Sequence, residues 1–267
     1  MTNIIVMGAL GRMGSRIATL SRQYPDLRLV GAIEKKGHDA IGKDIGLLLG
    51  LGEIGVYVGD SLEAVIEKGD VVIDFTHKEA VAGHAKIASQ HKKAMVIGTT
   101  GLSTEETTTI KEAARSSPIV LAPNMSVGVN LLLKVLMDIA RVLGDDYDVE
   151  IVEAHHRLKK DAPSGTALKM AQVIAEALNR DLEEVGVYAR KGIIGERTQK
   201  EIGIQTLRGG DIVGEHTVYF AGLGERIEIT HRASSRDTFA RGALRAAQWI
   251  VNKDAGLYDM QDVLGLK

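Results

Sequence analysis

The sequence contains no cysteine. That single absence excludes a disulfide framework, a thiolate zinc site, an iron–sulfur cluster and a cysteine nucleophile together. Aromatic residues are scarce at 4%, with one Trp, which argues against an aromatic-lined groove for oligonucleotides or carbohydrates. Charge of neither sign dominates: 33 Lys plus Arg stand against 35 Asp plus Glu, for a net charge of -2. That balance leaves no electrostatic footprint for nucleic acid or an anionic membrane, so neither is expected as a partner, although a local basic pocket is compatible with it. Long apolar runs are missing too, and no stretch approaches the roughly 18 to 20 residues of a membrane helix. The opening MTNIIVMGALGRMG runs straight into a strand pattern with no basic n-region or cleavage site, so a cytoplasmic location is expected.

What the sequence does have is glycine, 30 in 267 residues, within an ordinary globular balance of 45% hydrophobic and 25% charged residues. This length suits one or two domains. Many glycines with few aromatics fit an α/β enzyme with tight strand-to-helix turns.

The first half alternates short apolar runs with helical patterns. Asn3–Met7, Arg28–Ile33, Val71–Asp74, Ala94–Ile97 and Ile119–Ala122 read as strands, and Arg12–Gln23, Ala80–Gln90 and Thr104–Arg115 as helices. Strands alternating with helices indicate βαβ units and a parallel sheet, and their near-continuous Val and Ile fit burial on both sheet faces. The pattern changes after about residue 125. A long helix over Val127–Leu143 precedes a strand over Asp148–Ala154, a helix from Gly165 to Leu178, and three strand-like runs at Ile202–Leu207, Val213–Phe220 and Arg226–Arg232. Strands without intervening helices predict an antiparallel or mixed sheet, and Phe239–Asn252 reads as a final helix.

The run Gly8-Ala9-Leu10-Gly11-Arg12-Met13-Gly14 sets three glycines between a strand and a helix. A dinucleotide pyrophosphate needs such a turn: side-chain-free backbone lets phosphate approach the helix N-terminus and its positive dipole end. Leu10 stands where the commoner fingerprint has a second glycine. Glu34 follows Gly14 by 20 residues, at the end of the second strand, where an acid can accept from ribose hydroxyls. Lys35 and Lys36 come next and could neutralise a 2′-phosphate, so NADH and NADPH both stay open. The plainer reading is a structural turn followed by a solvated charged loop. Further strand ends at Asp74-Phe75-Thr76, Gly98-Thr99-Thr100 and Ala122-Pro123-Asn124-Met125 fall where α/β sheets bind ligands. Gly98, Thr99 and Thr100 suit a nicotinamide ribose, and Asn124 offers an amide.

The segment Glu153-Ala154-His155-His156-Arg157-Leu158-Lys159-Lys160-Asp161-Ala162-Pro163-Ser164-Gly165-Thr166 closes a strand, crosses a cationic loop and opens a helix. Its cations suit an anionic substrate, the Ser-Gly-Thr helix entry offers hydroxyls and N–H groups to a carboxylate, and His and Lys can transfer protons. An ordinary capped loop would look partly similar. A metal site on Glu153, His155 and His156 is disfavoured, because strand alternation puts Glu153 and His155 on one face and His156 on the other. No metal is expected. The remaining histidines, His38, His77, His84, His91, His216 and His231, read mostly as surface or packing residues.

Together these motifs resemble the 4-hydroxy-tetrahydrodipicolinate (dihydrodipicolinate) reductase family of lysine and diaminopimelate biosynthesis. The carrying segments are GALGRMG, VVIDFTHKEA, VIGTTG, EAHHRLKKDAPSGTA and GDIVGEHTVYFAGLGERIEITHRASSRDTFARGA, which run through nearly the whole chain. The resemblance implies a Rossmann-like parallel-sheet α/β domain, residues 1–126 plus 236–267, with an inserted mixed-sheet α+β domain, residues 127–235, for substrate binding and oligomerisation. It implies a cytoplasmic NAD(P)H-dependent oxidoreductase, a homotetramer, acting on a small dicarboxylate. By the same resemblance Gly8, Ala9, Leu10, Gly11, Arg12 and Met13 hold the pyrophosphate, Glu34 the ribose and Lys35 a 2′-phosphate. Gly98, Thr99, Thr100, Ala122, Pro123, Asn124 and Met125 line the nicotinamide end. His155 and Lys159 take the acid–base roles, while His156, Gly165 and Thr166 bind substrate. Another dehydrogenase of similar build and a non-catalytic dinucleotide-binding sensor are the competing readings. The acylating aldehyde form of the former needs a cysteine.

Overall fold

The computed structural model describes residues 1–267. The chain forms two compact units, Met1–Val127 with Arg236–Lys267 and Gly128–Ser235. The first contains β1 (Thr2–Met7), α1 (Gly14–Ser21), β2 (Leu27–Ile33), α2 (Ile45–Leu48), β3 (Val58–Gly59), β4 (Val71–Asp74), α3 (Lys78–Gln90), β5 (Ala94–Ile97), α4 (Thr104–Ala113) and β6 (Pro118–Leu121). Then follow α5 (Val127–Leu143), β7 (Asp148–His155), α6 (Gly165–Ala177), α7 (Leu182–Val185), β8 (Gly186–Val187), β9 (Ile202–Arg208), β10 (Gly214–Ala221) and β11 (Arg226–Ala233). The chain returns to the first unit with α8 (Asp237–Ile250), β12 (Gly256–Tyr258) and α9 (Met260–Leu264).

The first unit carries a seven-stranded sheet in the order β12-β6-β5-β4-β1-β2-β3, every pair parallel. Six of these strands have the doubly wound nucleotide-binding order, whose direction reverses beside β1 and leaves a crevice at the carboxyl ends of the strands. The apolar runs are two-sided for this reason: Ile4 and Val6 enter one core, whereas Ile5 and Met7 enter the opposite one. Helix α1 is shorter than the pattern predicts. Its entry is taken up by the glycine turn, and its end tightens through Gln23 N–H to Leu20 O and Tyr24 N–H to Ser21 O just before Pro25. Strands β3 and β12 and helices α2, α7 and α9 are too short for periodicity to reveal.

The second unit has a mixed sheet, order β11-β10-β7-β9-β8, in which central β7 pairs antiparallel with β10 and parallel with β9. Along β7 the inward positions are Val149, Ile151 and Glu153; along β10 they are Gly214, His216, Val218 and Phe220. Leu132 and Leu136 of α5 and Met170 and Ile174 of α6 complete this core. No helix in the chain is long and apolar enough to cross a membrane.

Candidate active site

A cavity of about 900 Å³ opens in the first unit at the carboxyl ends of β1, β2 and β4, lined by Met7, Gly8, Ile33, Glu34, Phe75 and Thr76 among others. Gly8 has φ +60°, a conformation glycine adopts without strain. It ends β1 and leads through the cavity-lining Leu10, Gly11 and Arg12 into α1, which has neither a side-chain cap nor an acidic residue in its first turn. A Cβ on Gly14 would stand 2.0 Å from the Gly8 carbonyl oxygen, so only glycine lets the helix close on the turn. Gly14→Ala is therefore expected to cost about 1–3 kcal/mol through overpacking and to weaken dinucleotide binding. Thermal melting and cofactor titration check this; wild-type values in both would show the turn to be loose.

Glu34 closes the cavity beside the turn, where its Oε1 accepts the Leu10 N–H at 2.8 Å. The acid thus orders the turn that precedes the helix, which spacing alone does not reveal. Gly11, Arg12, Lys35 and Lys36 also line the cavity. The features fit a dinucleotide: a side-chain-free turn, an uncapped helix start, an acid at the second strand end and cations beside it. Ala9 lies buried in the core and Met13 packs against it, so their side chains are structural.

The other expected residues lie outside this cavity lining. Gly98 packs under Phe75, where a Cβ would meet the ring at 2.1 Å, and Thr99 Oγ1 donates to the Thr76 carbonyl at 3.1 Å. These contacts join the ends of β4 and β5. Ala122 and Met125 are core residues, Pro123 is exposed, and Asn124 Oδ1 accepts the Ser126 N–H at 2.9 Å. The wholly buried Asp74 accepts from Thr76 N and Oγ1 at 2.8 and 2.6 Å and bonds His84 Nδ1 at 2.6 Å. His84, which the sequence places among the surface or packing histidines, also lines the cavity.

The second unit gathers the histidine–lysine segment around Glu153, which is 0% exposed. Its Oε2 accepts from His155 Nδ1 at 2.6 Å and Arg208 Nη1 at 2.8 Å. Its Oε1 accepts from Arg208 Nη2 at 2.8 Å, the Ser164 N–H at 3.0 Å and Thr206 Oγ1 at 3.2 Å. Glu153 and His155 do share a sheet face, but these donors occupy the carboxylate that a metal ion would need. Ser164 caps α6 by accepting the Ala167 N–H, and its hydroxyl also bonds His216 Nε2 at 2.9 Å. His216, expected among surface or packing residues, is buried inside this network, with its ring 5.2 Å from that of His155.

Helix α6 starts at Gly165 with no acidic residue in its first turn, and a Cβ there would meet nothing within 4 Å. This is open space at the positive end of a dipole, next to Thr166. His156 Nδ1 is buried without a partner. Lys159 Nζ sits 2.8 Å from both oxygens of Asp161, whose carboxyl it holds below the usual range. Burial drives the His155 pKa down, against the opposing pull of Glu153. Burial also pushes His216 down to about 4. Although burial opposes it, Glu153 is held at about 2 by the Arg208, His155 and Ser164 donors.

A cavity suited to a dinucleotide in one unit and a cluster of His, Lys and Arg side chains near Glu153 in the other are compatible with a reductase. Sequence comparison agrees. The profile described as dihydrodipicolinate reductase, N-terminus, matches residues 2–125, and that for the C-terminus matches residues 128–264. Proteins described as 4-hydroxy-tetrahydrodipicolinate reductase from Syntrophus aciditrophicus and Geobacter sulfurreducens are 60% and 58% identical, each over 100% of both chains. Among solved structures, a dipicolinate-bound dihydrodipicolinate reductase from Paenisporosarcina sp. TG-14 superposes with a TM-score of 0.75 at 25% identity, covering 98% of each chain. An amine dehydrogenase from Mycobacterium smegmatis, with a TM-score of 0.57 at 16% identity, shares the fold. The first unit is thus a dinucleotide-binding Rossmann unit, and the chain belongs to the dihydrodipicolinate reductase family.

Proposed function

We propose that this chain reduces 4-hydroxy-tetrahydrodipicolinate to tetrahydrodipicolinate in lysine and diaminopimelate biosynthesis, using NADH or NADPH. The observation that carries this reading is the His155–Glu153 pair beside Lys159 and the open start of α6, in a chain that also holds a dinucleotide cavity. Bound nicotinamide supplies a hydride to an electrophilic ring carbon. With one proton added and one water lost, the substrate becomes tetrahydrodipicolinate. His155 and Lys159 supply that proton or stabilise the charge that precedes it. His156, Gly165 and Thr166 hold a substrate carboxylate at the helix start. The dipicolinate bound to the Paenisporosarcina enzyme supports a dicarboxylate as ligand.

On the cofactor side, Gly8–Met13 holds the pyrophosphate, Glu34 the adenosine ribose, and Lys35 a 2′-phosphate when NADPH binds. Gly98–Thr100 and Ala122–Met125 serve the nicotinamide end. We place the enzyme in the cytoplasm as a homotetramer assembled through the five-stranded sheet.

Cofactor oxidation with the condensation product of pyruvate and aspartate semialdehyde tests the function directly. Folded protein that oxidises neither cofactor defeats it. Both cofactors are expected to be used, because Glu34 and Lys35 offer an acid and a base at the same strand end. Lys35→Ala is expected to raise KM for NADPH about 5-fold, the limit for one exposed ion pair, with KM for NADH nearly unchanged. Equal changes for both cofactors would remove Lys35 from 2′-phosphate recognition.

A further inference from the structure

We infer that Glu153 is the positioning residue of this site, fixing the tautomer of His155 and anchoring the start of α6 with the same carboxylate. The inference rests on the reductase reading above. Inward positions on β7 read Val149, Ile151 and then Glu153, so an ionised group stands where packing alone asks for an aliphatic one. A buried ion is costly unless several donors satisfy it, and pairs of this kind are seldom kept for stability. Arg208 alone would suffice as a charge partner, yet two further donors reach the carboxylate from functionally placed atoms.

The first donor is His155 Nδ1 at 2.6 Å. An ionised carboxylate only accepts hydrogen bonds, so neutral His155 carries its hydrogen on Nδ1 and keeps a lone pair on Nε2. When protonated, the ring presents Nε2–H as the transferable proton. That edge is kept clear by β10: a Cβ on Gly214 would stand 3.0 Å from Nε2. The second donor is the Ser164 backbone N–H at 3.0 Å, which locks the cap of α6 and so aims the N–H groups of Gly165 and Thr166. One carboxylate therefore sets the spacing between the proton donor and the anion holder. Charged and titratable groups around His155 are Glu153 on its own strand, Lys159 in the loop, Arg208 on β9 and His216 on β10, with His231 on β11 paired opposite His216.

Two measurements test this. Long-range ¹⁵N–¹H correlation on the wild-type protein, assigned with His155→Gln, is expected to show neutral His155 as the Nδ1–H tautomer. An Nε2–H tautomer overturns the inference, and this readout needs no folded Glu153 variant. Steady-state kinetics of Glu153→Gln, His155→Gln and the double variant then form a cycle. Glu153→Gln is expected to lower kcat about 30-fold, in the range of lost outer-shell partners. The limb of its pH profile that belongs to His155 should move to lower pH, since an amide no longer favours the imidazolium. The double variant is expected within about 2-fold of His155→Gln alone, as for groups acting as a unit. Losses that multiply, with melting and NADH binding intact, would make Glu153 a structural strut and overturn the role. Wild-type protein that oxidises no cofactor defeats the reductase reading instead, whatever the tautomer.

Discussion

Lys159→Ala is expected to lower kcat about 1000-fold, within the range for removing a positioned proton donor, while leaving the dissociation constant for NADH nearly intact. Lys159 belongs to the second unit, and the dinucleotide cavity is lined wholly by residues of the first. Its ammonium is held 2.8 Å from both Asp161 oxygens, and its side chain is 20% exposed, so it is both placed and reachable. Lys159→Arg separates charge from proton transfer. A guanidinium keeps the positive charge but does not give up its proton at neutral pH. It should recover most of the substrate KM and little of kcat. Steady-state kinetics with cofactor binding followed separately decide the matter; wild-type turnover in Lys159→Ala removes Lys159 from the mechanism.

The second unit is expected to lose about 3 kcal/mol of stability between pH 6.5 and 4, because burial pushes the His216 pKa from 6.5 down to about 4. In that window the unfolded chain takes up a proton that folded His216 refuses, so stability rises with pH across it. The loss is a large fraction of the roughly 5–15 kcal/mol typical of a domain. Glu153 acts in a lower window. Its folded pKa of about 2 lies below the ordinary 4.5, so its contribution is complete above 4.5 and fades as pH falls toward 2. Urea denaturation at pH 7.5 and pH 5 measures the first effect, and His216→Gln is expected to shrink the difference, the remainder coming from His155 and His231, whose pKa values burial also lowers. A wild-type midpoint that does not move between those values would mean that His216 protonates freely in the folded protein.

The parallel sheet was legible because its grammar is local. Ile4-Ile5-Val6-Met7 followed by the Gly8–Gly14 turn carries strand, turn and helix start within one short run, and Glu34 adds an acid at a fixed distance along the chain. The mixed sheet was legible as a class from successive strands without helices. Its partner choice was not, since β7 pairs parallel with β9 and antiparallel with β10, and nothing local encodes both. Short edge strands such as β12 escaped because three residues carry no measurable period. The partners of His216 were not legible for a related reason. An isolated histidine between Glu215 and Thr217 has no local signal, and its meaning comes from a bond to Ser164, 52 residues away. The one hint in the sequence was the two-residue strand spacing that puts His216 on the same face as Val218 and Phe220.

Sequence alone determined the fold class and the family, and it supplied the segments proposed to carry each half of the chemistry. Periodicity, glycine placement and helix-entry residues act over a few neighbours, and those are the distances a sequence displays. Only the tertiary structure decided what those segments do to one another. It set Glu34 against the Leu10 N–H, Lys159 against Asp161, and Arg208 of β9 against Glu153 of β7 across 55 residues. The physical reason is that a buried carboxylate takes its partners from strand register and helix packing. Both are fixed by the whole core and written in no single stretch of chain.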